Sequence, residues 1–234
     1  MGTESAKMAA AALAASRMES DATIGLGSGS TARLFLEALA ERVASGDLGG
    51  VVGVATSTEI EEAARDAGIR VASLEEAGTI DVAVDGADEV DPDWNLIKGR
   101  GGAFFRERLV ARAALRYVVV VDDSKLVARL GETAPVPVEV KPLLFASVTA
   151  AVADLGGEAV RRRAGRGIYF TDQGNCVLDC AFGPIDSPAR LARDLEAVPE
   201  ILAHGLFVGM VDELIVGSEA GAEIKGVTGK EAGS

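Results

Sequence analysis

Residues 22–32 read ATIGLGSGSTA, and the fold class can be inferred from this segment outward. Ala22–Leu26 predicts a short apolar strand, a glycine-rich turn follows, and Thr31–Ser45 predicts the next helix. Strands that are apolar throughout and alternate with helices are typical of a parallel sheet covered on both faces. We therefore predict an α/β protein whose first domain, residues 1–133, is an open parallel-sheet Rossmann-like domain. Its other expected strands are Val51–Thr56, Arg70–Ala72, Asp81–Val84 and Tyr117–Val121, and its other helices are Glu4–Met18, Ser57–Ala67 and Ala103–Ala114.

The composition changes at residues 134–142, where three prolines (Pro135, Pro137 and Pro142) fall within eight residues. Such a cluster predicts a domain boundary. The β-α-β-β-α-β order that follows predicts a smaller α+β ferredoxin-like domain, residues 134–209. A final apolar strand, Glu213–Gly217, is expected to return to the first sheet, so that residues 210–234 belong to the first domain. The second domain's expected strands are Val136–Val140, Glu158–Arg163, Ile168–Asp172 continuing as Asn175–Ala181, and Leu206–Gly209, with helices Leu143–Leu155 and Pro188–Ala197.

The charge of the chain limits its partners. Among 234 residues, 23 are Lys or Arg and 36 are Asp or Glu, which gives a net charge of −13. Nucleic acids and anionic membranes bind positive surfaces, so we expect neither as a partner. No stretch approaches the roughly 20 apolar residues of a membrane span. The alanine-rich start predicts an amphipathic helix rather than a signal peptide, and we expect a cytoplasmic location.

Cysteine and histidine are scarce. Cys176 and Cys180 share one face of a predicted strand, with Cα atoms about 13 Å apart, too far for a disulfide. We expect two structural thiols in a reducing compartment. His204 is the only histidine and cannot build a histidine-rich metal site or a catalytic dyad. We therefore expect proton transfer to fall mainly to carboxylates or lysines.

Two loops follow the first and fourth predicted strands. Ser28, Gly29, Ser30 and Thr31 offer hydroxyls and helix-start amides for a phosphate. The same loop fits a dinucleotide-binding glycine pattern, but the second strand lacks the expected acidic residue, and a simple serine-capped turn is a third interpretation. The segment Asp85, Gly86, Ala87 and Asp88 is either a ligand-binding loop at a strand's carboxyl end or a solvated acidic turn with Asp88 as a helix cap.

Two further loops carry cations. In IKGRGGAFFRERL, Lys98 and Arg100 alternate with Gly99 and Gly101, a pattern that favours close approach to an anion. Glu107 follows among apolar neighbours and is a candidate general base, or else a surface glutamate paired with an adjacent arginine. In VDDSK, Lys125 follows another buried strand and is either an anion contact or an ordinary exposed lysine.

These motifs, in this order, resemble ribose-5-phosphate isomerases of the A type. The matching pieces are GSGSTA, VDGADEVD, LIKGRGGA with Glu107 nine residues after Lys98, DDSK and PVPVEV, and the resemblance covers nearly the whole chain. It implies an aldose-ketose isomerase of the non-oxidative pentose phosphate pathway. That enzyme interconverts D-ribose 5-phosphate and D-ribulose 5-phosphate through a cis-enediol, without metal or organic cofactor. A homodimer or homotetramer is also implied.

The resemblance also assigns residues. It implies that Glu107 moves a proton between C2 and C1, while Asp85, Asp88 and Lys98 hold the sugar oxygens and assist ring opening. It implies that the substrate is bound by Ser28–Thr31, Asp85–Asp88, Lys98–Gly101 and Lys125. Ser28 stands where many members carry Thr, Arg100 replaces a frequent glycine, and Arg108 replaces a frequent lysine; none of these changes removes a catalytic group.

Two other classes of protein remain as alternatives. A non-catalytic sugar-phosphate sensor module would carry a DNA-binding domain and a basic face, but only about 20 residues precede the first strand and the net charge is −13. A nucleotide-dependent dehydrogenase would need the ribose-binding acid that the second strand lacks.

Overall fold

The structure, a computed structural model, describes residues 2–227. Its strands are β1 (Thr23–Leu26), β2 (Val52–Ala55), β3 (Arg70–Val71), β4 (Val82–Asp85), β5 (Glu89–Val90), β6 (Leu96–Ile97), β7 (Tyr117–Asp122), β8 (Val136–Val140), β9 (Glu158–Arg161), β10 (Arg163–Ala164), β11 (Gly167–Ile168), β12 (Cys176–Ala181), β13 (Ile201–His204), β14 (Leu206–Phe207), β15 (Glu213–Ser218) and β16 (Gly221–Val227). Its helices are α1 (Gly2–Ser16), α2 (Ser30–Ser45), α3 (Thr58–Asp66), α4 (Leu74–Ala77), α5 (Phe104–Ala113), α6 (Phe145–Asp154) and α7 (Pro188–Glu196), with short 3-10 helices at Asp123–Lys125 and Pro142–Leu144.

The chain forms two compact units. Of the described residues, 2–86, 106–125 and 210–227 form the first unit, and 87–105 with 126–209 form the second. The predicted boundaries, 1–133, 134–209 and 210–234, differ from these units in residues 87–105 and 126–133. Within the second unit, β6 pairs with β14, and Val127 donates a backbone hydrogen bond to Val90. The predicted boundaries stay a prediction.

The first unit is built on a seven-stranded sheet in the order β16-β15-β7-β4-β1-β2-β3. All neighbouring pairs are parallel except β15 with β16. The apolar strands β1, β2, β4 and β7 are buried almost throughout, as expected for a sheet covered on both faces. The late strand β15 lies beside β7, so the predicted return of the chain to the first sheet is confirmed.

Helix α1 packs closely against the first sheet because the buried face of the helix carries small side chains. Ala10 and Ala14 are fully buried in the core of the first unit. A Cβ atom on Gly217 of β15 would collide with the backbone carbonyl of Ala6. The alanine-rich start is therefore a helix that lies directly against the sheet, and this contact fixes the position of the neighbouring Lys7.

The second unit contains a four-stranded antiparallel sheet in the order β13-β8-β12-β9. The chain visits these strands as β8-α6-β9-β12-α7-β13, which is the ferredoxin-like arrangement. The predicted fold class, a Rossmann-like parallel sheet plus a ferredoxin-like part, is therefore confirmed. Val136, Val138 and Val140 of β8 face the apolar core, so the intervening Pro137 and Glu139 face the opposite side of this sheet.

Two strand predictions in this unit were wrong. The last strand of the ferredoxin-like sheet is Ile201–His204 rather than Leu206–Gly209, because Leu206–Phe207 pairs with β6 in a separate small sheet. The predicted strand Ile168–Asp172 does not continue into β12. Only Gly167–Ile168 forms a strand, and it pairs with β10 across a turn at Gly165, whose φ is +59°. Phe170 makes a single antiparallel bridge to Cys176 of β12.

Both cysteines are free and buried, as expected. Burial, together with nearby Asp179, raises the pKa of the Cys180 thiol to about 12. This thiol is therefore protonated and unreactive near neutral pH. Within residues 2–227, no helix combines the length and the apolar character that crossing a membrane requires.

Candidate active site

In the first unit, the loop between β1 and α2 is tied to the end of β4. The backbone amide of Ser28 donates to Oδ1 of Asp85 at 3.2 Å, and the amide of Gly86 donates to the same oxygen at 2.7 Å. A Cβ atom on Gly27 would collide with Asp85, so glycine is required for this approach. Asp85 is 2% exposed, which contradicts a solvated acidic turn at this position. The carboxylate instead joins two of the predicted binding segments.

The hydroxyl of Ser28 has a fixed direction. Thr56 donates its hydroxyl to the carbonyl of Leu26 at 2.9 Å, and the Oγ atoms of Ser28 and Thr56 are 2.6 Å apart. Because the Thr56 proton is already engaged, Ser28 is the donor of this second hydrogen bond. Thr56 was not predicted as a site residue. The sequence feature that could have indicated Thr56 is its position as a polar residue at the end of the apolar strand β2.

Helix α2 begins directly behind this loop. Its N-cap is Gly29, with φ +86°, and no side chain caps the helix start. Helix starts favour anions because their backbone N–H groups lack intrahelical acceptors. Lys7 of α1, which the sequence analysis missed, donates from Nζ to Oγ of Ser30 at 3.2 Å. The sequence feature that could have indicated Lys7 is that it is a single lysine in an alanine-rich helix.

Helix α5 carries Glu107 in its first turn, and this side chain is 5% exposed. The helix lies close to the sheet because β1 has glycine at position 25. A Cβ there would come within 2.6 Å of Cγ1 of Val110 and 2.7 Å of Cβ of Ala83. Val110 lies one turn after Glu107 on the same helical face. The burial of Glu107 contradicts the surface-glutamate interpretation.

We predict that Gly25→Ala lowers kcat by about 10-fold, because the added methyl pushes α5 off the sheet and moves Glu107, and overpacking of this kind costs about 1–3 kcal/mol. Steady-state kinetics and thermal unfolding measure both effects. Gly49→Ala is the matched control, since a Cβ there meets nothing within 4 Å. Unchanged kcat in Gly25→Ala would show that the position of α5 does not limit the reaction.

Lys125 ends the short 3-10 helix that follows β7 and is half-buried. Asp122 shapes this turn by accepting a hydrogen bond from the amide of Ser124 at 3.2 Å. In the parallel sheet, Asp85 of β4 lies beside Val119 of β7. Lys125 therefore follows the same carboxyl edge of the sheet that carries Ser28–Thr31 and Asp85.

In the second unit, the small sheet of β5 and β6 joins two other predicted segments. Asp88 donates its amide to the carbonyl of Ile97 at 2.8 Å, and its Oδ2 accepts the amide of Arg100 at 2.9 Å. Asp88 precedes strand β5 rather than a helix, so the helix-cap interpretation is wrong. Asp88 and the KGRG segment are thus joined by hydrogen bonds within the second unit.

Lys98 is buried at the end of β6, with 3% of its surface exposed. Its amide donates to the carbonyl of Gly205 at 2.9 Å, and its ammonium nitrogen lies 5.6 Å from the centroid of the Phe207 ring. Burying a lysine is costly, so such residues mark sites where a fixed charge is used. Two other side chains, Arg162 and Tyr169, hydrogen-bond to carbonyls of this loop, and no sequence motif indicated either of them.

The structure thus gathers Ser28–Thr31, Asp85 and Gly86 in the first unit, and Asp88 with Lys98–Gly101 in the second. Across residues 2–227, no group of three or more His, Cys, Asp or Glu side chains is arranged to hold a metal ion. The expectation of a reaction without metal or cofactor stays a prediction.

Known proteins resemble this chain in sequence. Residues 52–221 match the sequence model of ribose 5-phosphate isomerase A (phosphoriboisomerase A). The chain is 48% identical over 226 residues to ribose-5-phosphate isomerase A of Thermomicrobium roseum, covering 96% of this chain and 94% of the relative. It is 46% identical over 226 residues to the protein of the same name from Haloarcula marismortui, covering 96% of each chain.

Solved structures show the same likeness. A D-ribose-5-phosphate isomerase in complex with phospho-erythronic acid superposes with a TM-score of 0.93 at 38% identity, covering 96% of this chain and 99% of that one. Ribose 5-phosphate isomerase A of Methanocaldococcus jannaschii gives 0.88 at 38% identity, covering 93% and 96%. The fold and these relatives define an aldose-ketose isomerase. The chain belongs to the ribose 5-phosphate isomerase A family, and the resemblance found in the sequence is confirmed.

Proposed function

We propose that this chain interconverts D-ribose 5-phosphate and D-ribulose 5-phosphate by proton transfer through a cis-enediol. The observation that carries the proposal is the burial of three charged residues in the family's motifs: Asp85, Lys98 and Glu107 are 2%, 3% and 5% exposed. Burying a charged side chain is unfavourable for folding, so three buried charged residues in these motifs indicate a catalytic or binding role. A sugar phosphate as ligand is supported by the relative whose structure holds phospho-erythronic acid, a phosphorylated sugar acid.

Each residue takes a separate role in this proposal. Glu107 removes the proton from C2 and returns it to C1, since one carboxylate can serve both carbons. Lys98 stabilises the negative charge that develops on oxygen as the enediol forms. Asp85 and Asp88 hold the sugar hydroxyls and assist ring opening.

The remaining motif residues hold the substrate. The Ser28–Thr31 loop at the start of α2, with Lys7 beside it, suits the phosphate because backbone amides and an ammonium group meet there. Lys125 supplies a second cation. Backbone groups of Gly86, Ala87 and Gly99–Gly101 complete the binding segments.

A coupled isomerisation assay with ribose 5-phosphate, with and without a chelator, tests this function. We expect turnover that is unchanged by the chelator, because side chains alone supply the acid, base and charge stabilisation. A protein that binds ribose 5-phosphate without converting it would instead be the sensor module. Loss of activity on chelation, restored by a metal ion, would contradict the metal-free mechanism.

The oligomeric state, the cellular location and the macromolecular partners of the chain are separate expectations. A homodimer or homotetramer, a cytoplasmic location and the lack of nucleic-acid and membrane partners stay predictions. The catalytic interpretation is favoured over the sensor module because ribose-5-phosphate isomerase A of Thermomicrobium roseum matches 96% of the chain at 48% identity.

A further inference from the structure

Three successive carbonyls of the loop after β6 are held by two side chains of the second unit. Nη1 of Arg162 donates to the carbonyl oxygen of Gly99 at 2.7 Å and to that of Arg100 at 2.9 Å. The hydroxyl of Tyr169 donates to the carbonyl oxygen of Gly101 at 2.8 Å. This loop follows Lys98 directly, so the same two side chains control the backbone of a proposed substrate-binding segment.

Arg162 is itself immobilised. Its Nε donates to Oδ2 of Asp179 at 3.0 Å, and its Nη2 donates to the other oxygen of the same carboxylate. The arginine side chain is 13% exposed, and its guanidinium carbon lies 5.6 Å from the centroid of the Tyr169 ring. A bidentate salt bridge of this kind fixes the plane of the guanidinium group as well as its position.

Tyr169 is suited to donate its proton at neutral pH. Burial raises the pKa of its hydroxyl above the ordinary value, and the positive charge of Arg162 opposes this only in part. A Cβ atom on Gly102 would collide with the hydroxyl of Tyr169, so the glycine lets the tyrosine reach the loop.

The held carbonyls determine where the amides point. The peptide bonds are all trans within the described residues, so the N–H and C=O of one peptide group point in opposite directions. The carbonyl of Gly99 faces Arg162, and the amide of Arg100 in the same peptide group accordingly donates to Asp88 on the other side. By the same geometry the amide of Gly101 points away from Arg162, because the carbonyl of Arg100 is bound to it.

We propose that Arg162, fixed by Asp179, and Tyr169 are positioning residues that orient the 99–102 peptide groups so that the amide of Arg100 holds Asp88 and the amide of Gly101 faces the substrate. This inference rests on the proposed function of the Lys98–Gly101 segment. Neither side chain touches the reacting atoms in this account. Their effect passes through the backbone of the loop and the placement of Lys98 at its start.

The loop has room to shift when this restraint is lost. A cavity of about 230 Å³ lies beside it and is lined in part by Asp88, Arg100, Arg162 and Asp179. A lysine at position 162 would keep the positive charge but could not hold Asp179 and two carbonyls at once, because an ammonium group lacks the planar fork. Arg162→Lys therefore removes the geometry and leaves the net charge unchanged.

The test combines amide hydrogen exchange with kinetics on Arg162→Lys and Tyr169→Phe, and Arg163→Lys is the matched control at an exposed position. We expect Arg162→Lys to speed exchange of the amides in residues 99–102 by about 10-fold or more in the unliganded protein, since local opening sets exchange rates. We expect its kcat to fall by about 10-fold or more with a smaller change in KM, because misplaced groups act chiefly in the transition state. Tyr169→Phe should show both effects more weakly, and Arg163→Lys neither.

The possible outcomes separate this inference from the proposed function. If the wild type isomerises ribose 5-phosphate and Arg162→Lys does so equally well, the positioning role is wrong while the function stands. Unchanged hydrogen exchange in Arg162→Lys would overturn the inference whatever the activity. If the wild type does not isomerise ribose 5-phosphate, the proposed function is wrong, and the positioning role in catalysis falls with it. If Arg162→Lys does not fold, Asp179→Asn provides a second variant, because it removes the partner of Arg162 and keeps the arginine. Amide hydrogen exchange and kinetics on Asp179→Asn then test the positioning role.

Discussion

Replacing Glu107 with Gln is expected to lower kcat by about 100-fold or more, because the amide keeps the size of the side chain but cannot accept a proton. KM should change little, since Glu107 acts on the C–H bond rather than on the phosphate or the sugar hydroxyls. Initial rates over a range of ribose 5-phosphate concentrations separate the two constants.

The control for this variant is Glu62→Gln, which makes the same chemical change at an exposed position of α3. It should leave both constants unchanged. Thermal unfolding of Glu107→Gln should occur near the wild-type temperature, because the side chain retains its volume in the buried site. Full activity in a folded Glu107→Gln protein would remove Glu107 from the mechanism.

Lys98→Met is expected to lower kcat by about 100- to 1,000-fold, the range seen when one donor to a developing oxyanion is removed. Methionine fills a similar volume beside the Phe207 ring and removes a buried charge, so the variant should fold. The fall should appear in kcat more than in KM, because the charge that Lys98 stabilises is greatest in the transition state.

Lys141→Met is the corresponding control, since Lys141 is an exposed lysine in the same unit. It makes the same change in net charge and should leave kcat unchanged. If both variants lost activity equally, the effect would come from net charge rather than from the position of Lys98. A rise in KM alone for Lys98→Met would make Lys98 a ground-state binding residue.

The first sheet could be predicted from the sequence because its strands are short, apolar and separated by clear helix signals. Tyr117–Val121 and Glu213–Gly217 have no polar residue in the middle of the run, and their strands lie beside each other inside the sheet rather than at its edge. The ferredoxin-like order was also predictable. The error at its last strand arose because ILAH and LF are both apolar, and only pairing with β8 or β6 separates them.

The candidate site was predictable where the motifs are local. Ser28, Asp85 and Asp88 follow predicted strands, and Glu107 stands just inside a predicted helix. Lys98 lies in the glycine-rich loop before that helix, and the resemblance implied a role for each of these residues. Their burial was harder to predict, because a glutamate among arginines and an aspartate in an acidic turn are ordinary surface features. Asp85 is buried only because glycine at position 27 lets the neighbouring loop close over it.

Supporting residues from distant parts of the chain could not be predicted. Lys7 reaches Ser30 across 23 positions, and Arg162 reaches Gly99 across 63. Neither lies in a motif, and one arginine among three in a row has no feature that sets it apart. Only the folded backbone shows that the carbonyls of the loop face Arg162.

Exchange of the transferred proton with solvent is the measurement that probes proton transfer by Glu107. Ribose 5-phosphate is converted in D₂O, and deuterium at C1 of the ribulose 5-phosphate formed is measured by NMR. We predict incorporation of deuterium at one C1 position by the wild type, since a carboxylate that holds the proton exchanges it with water. The rate of incorporation should fall in Glu107→Gln together with kcat. Turnover by the wild type with no deuterium in the product, together with an unchanged kcat in Glu107→Gln, would show that hydrogen moves between the carbons without Glu107, and would contradict the proton-transfer mechanism.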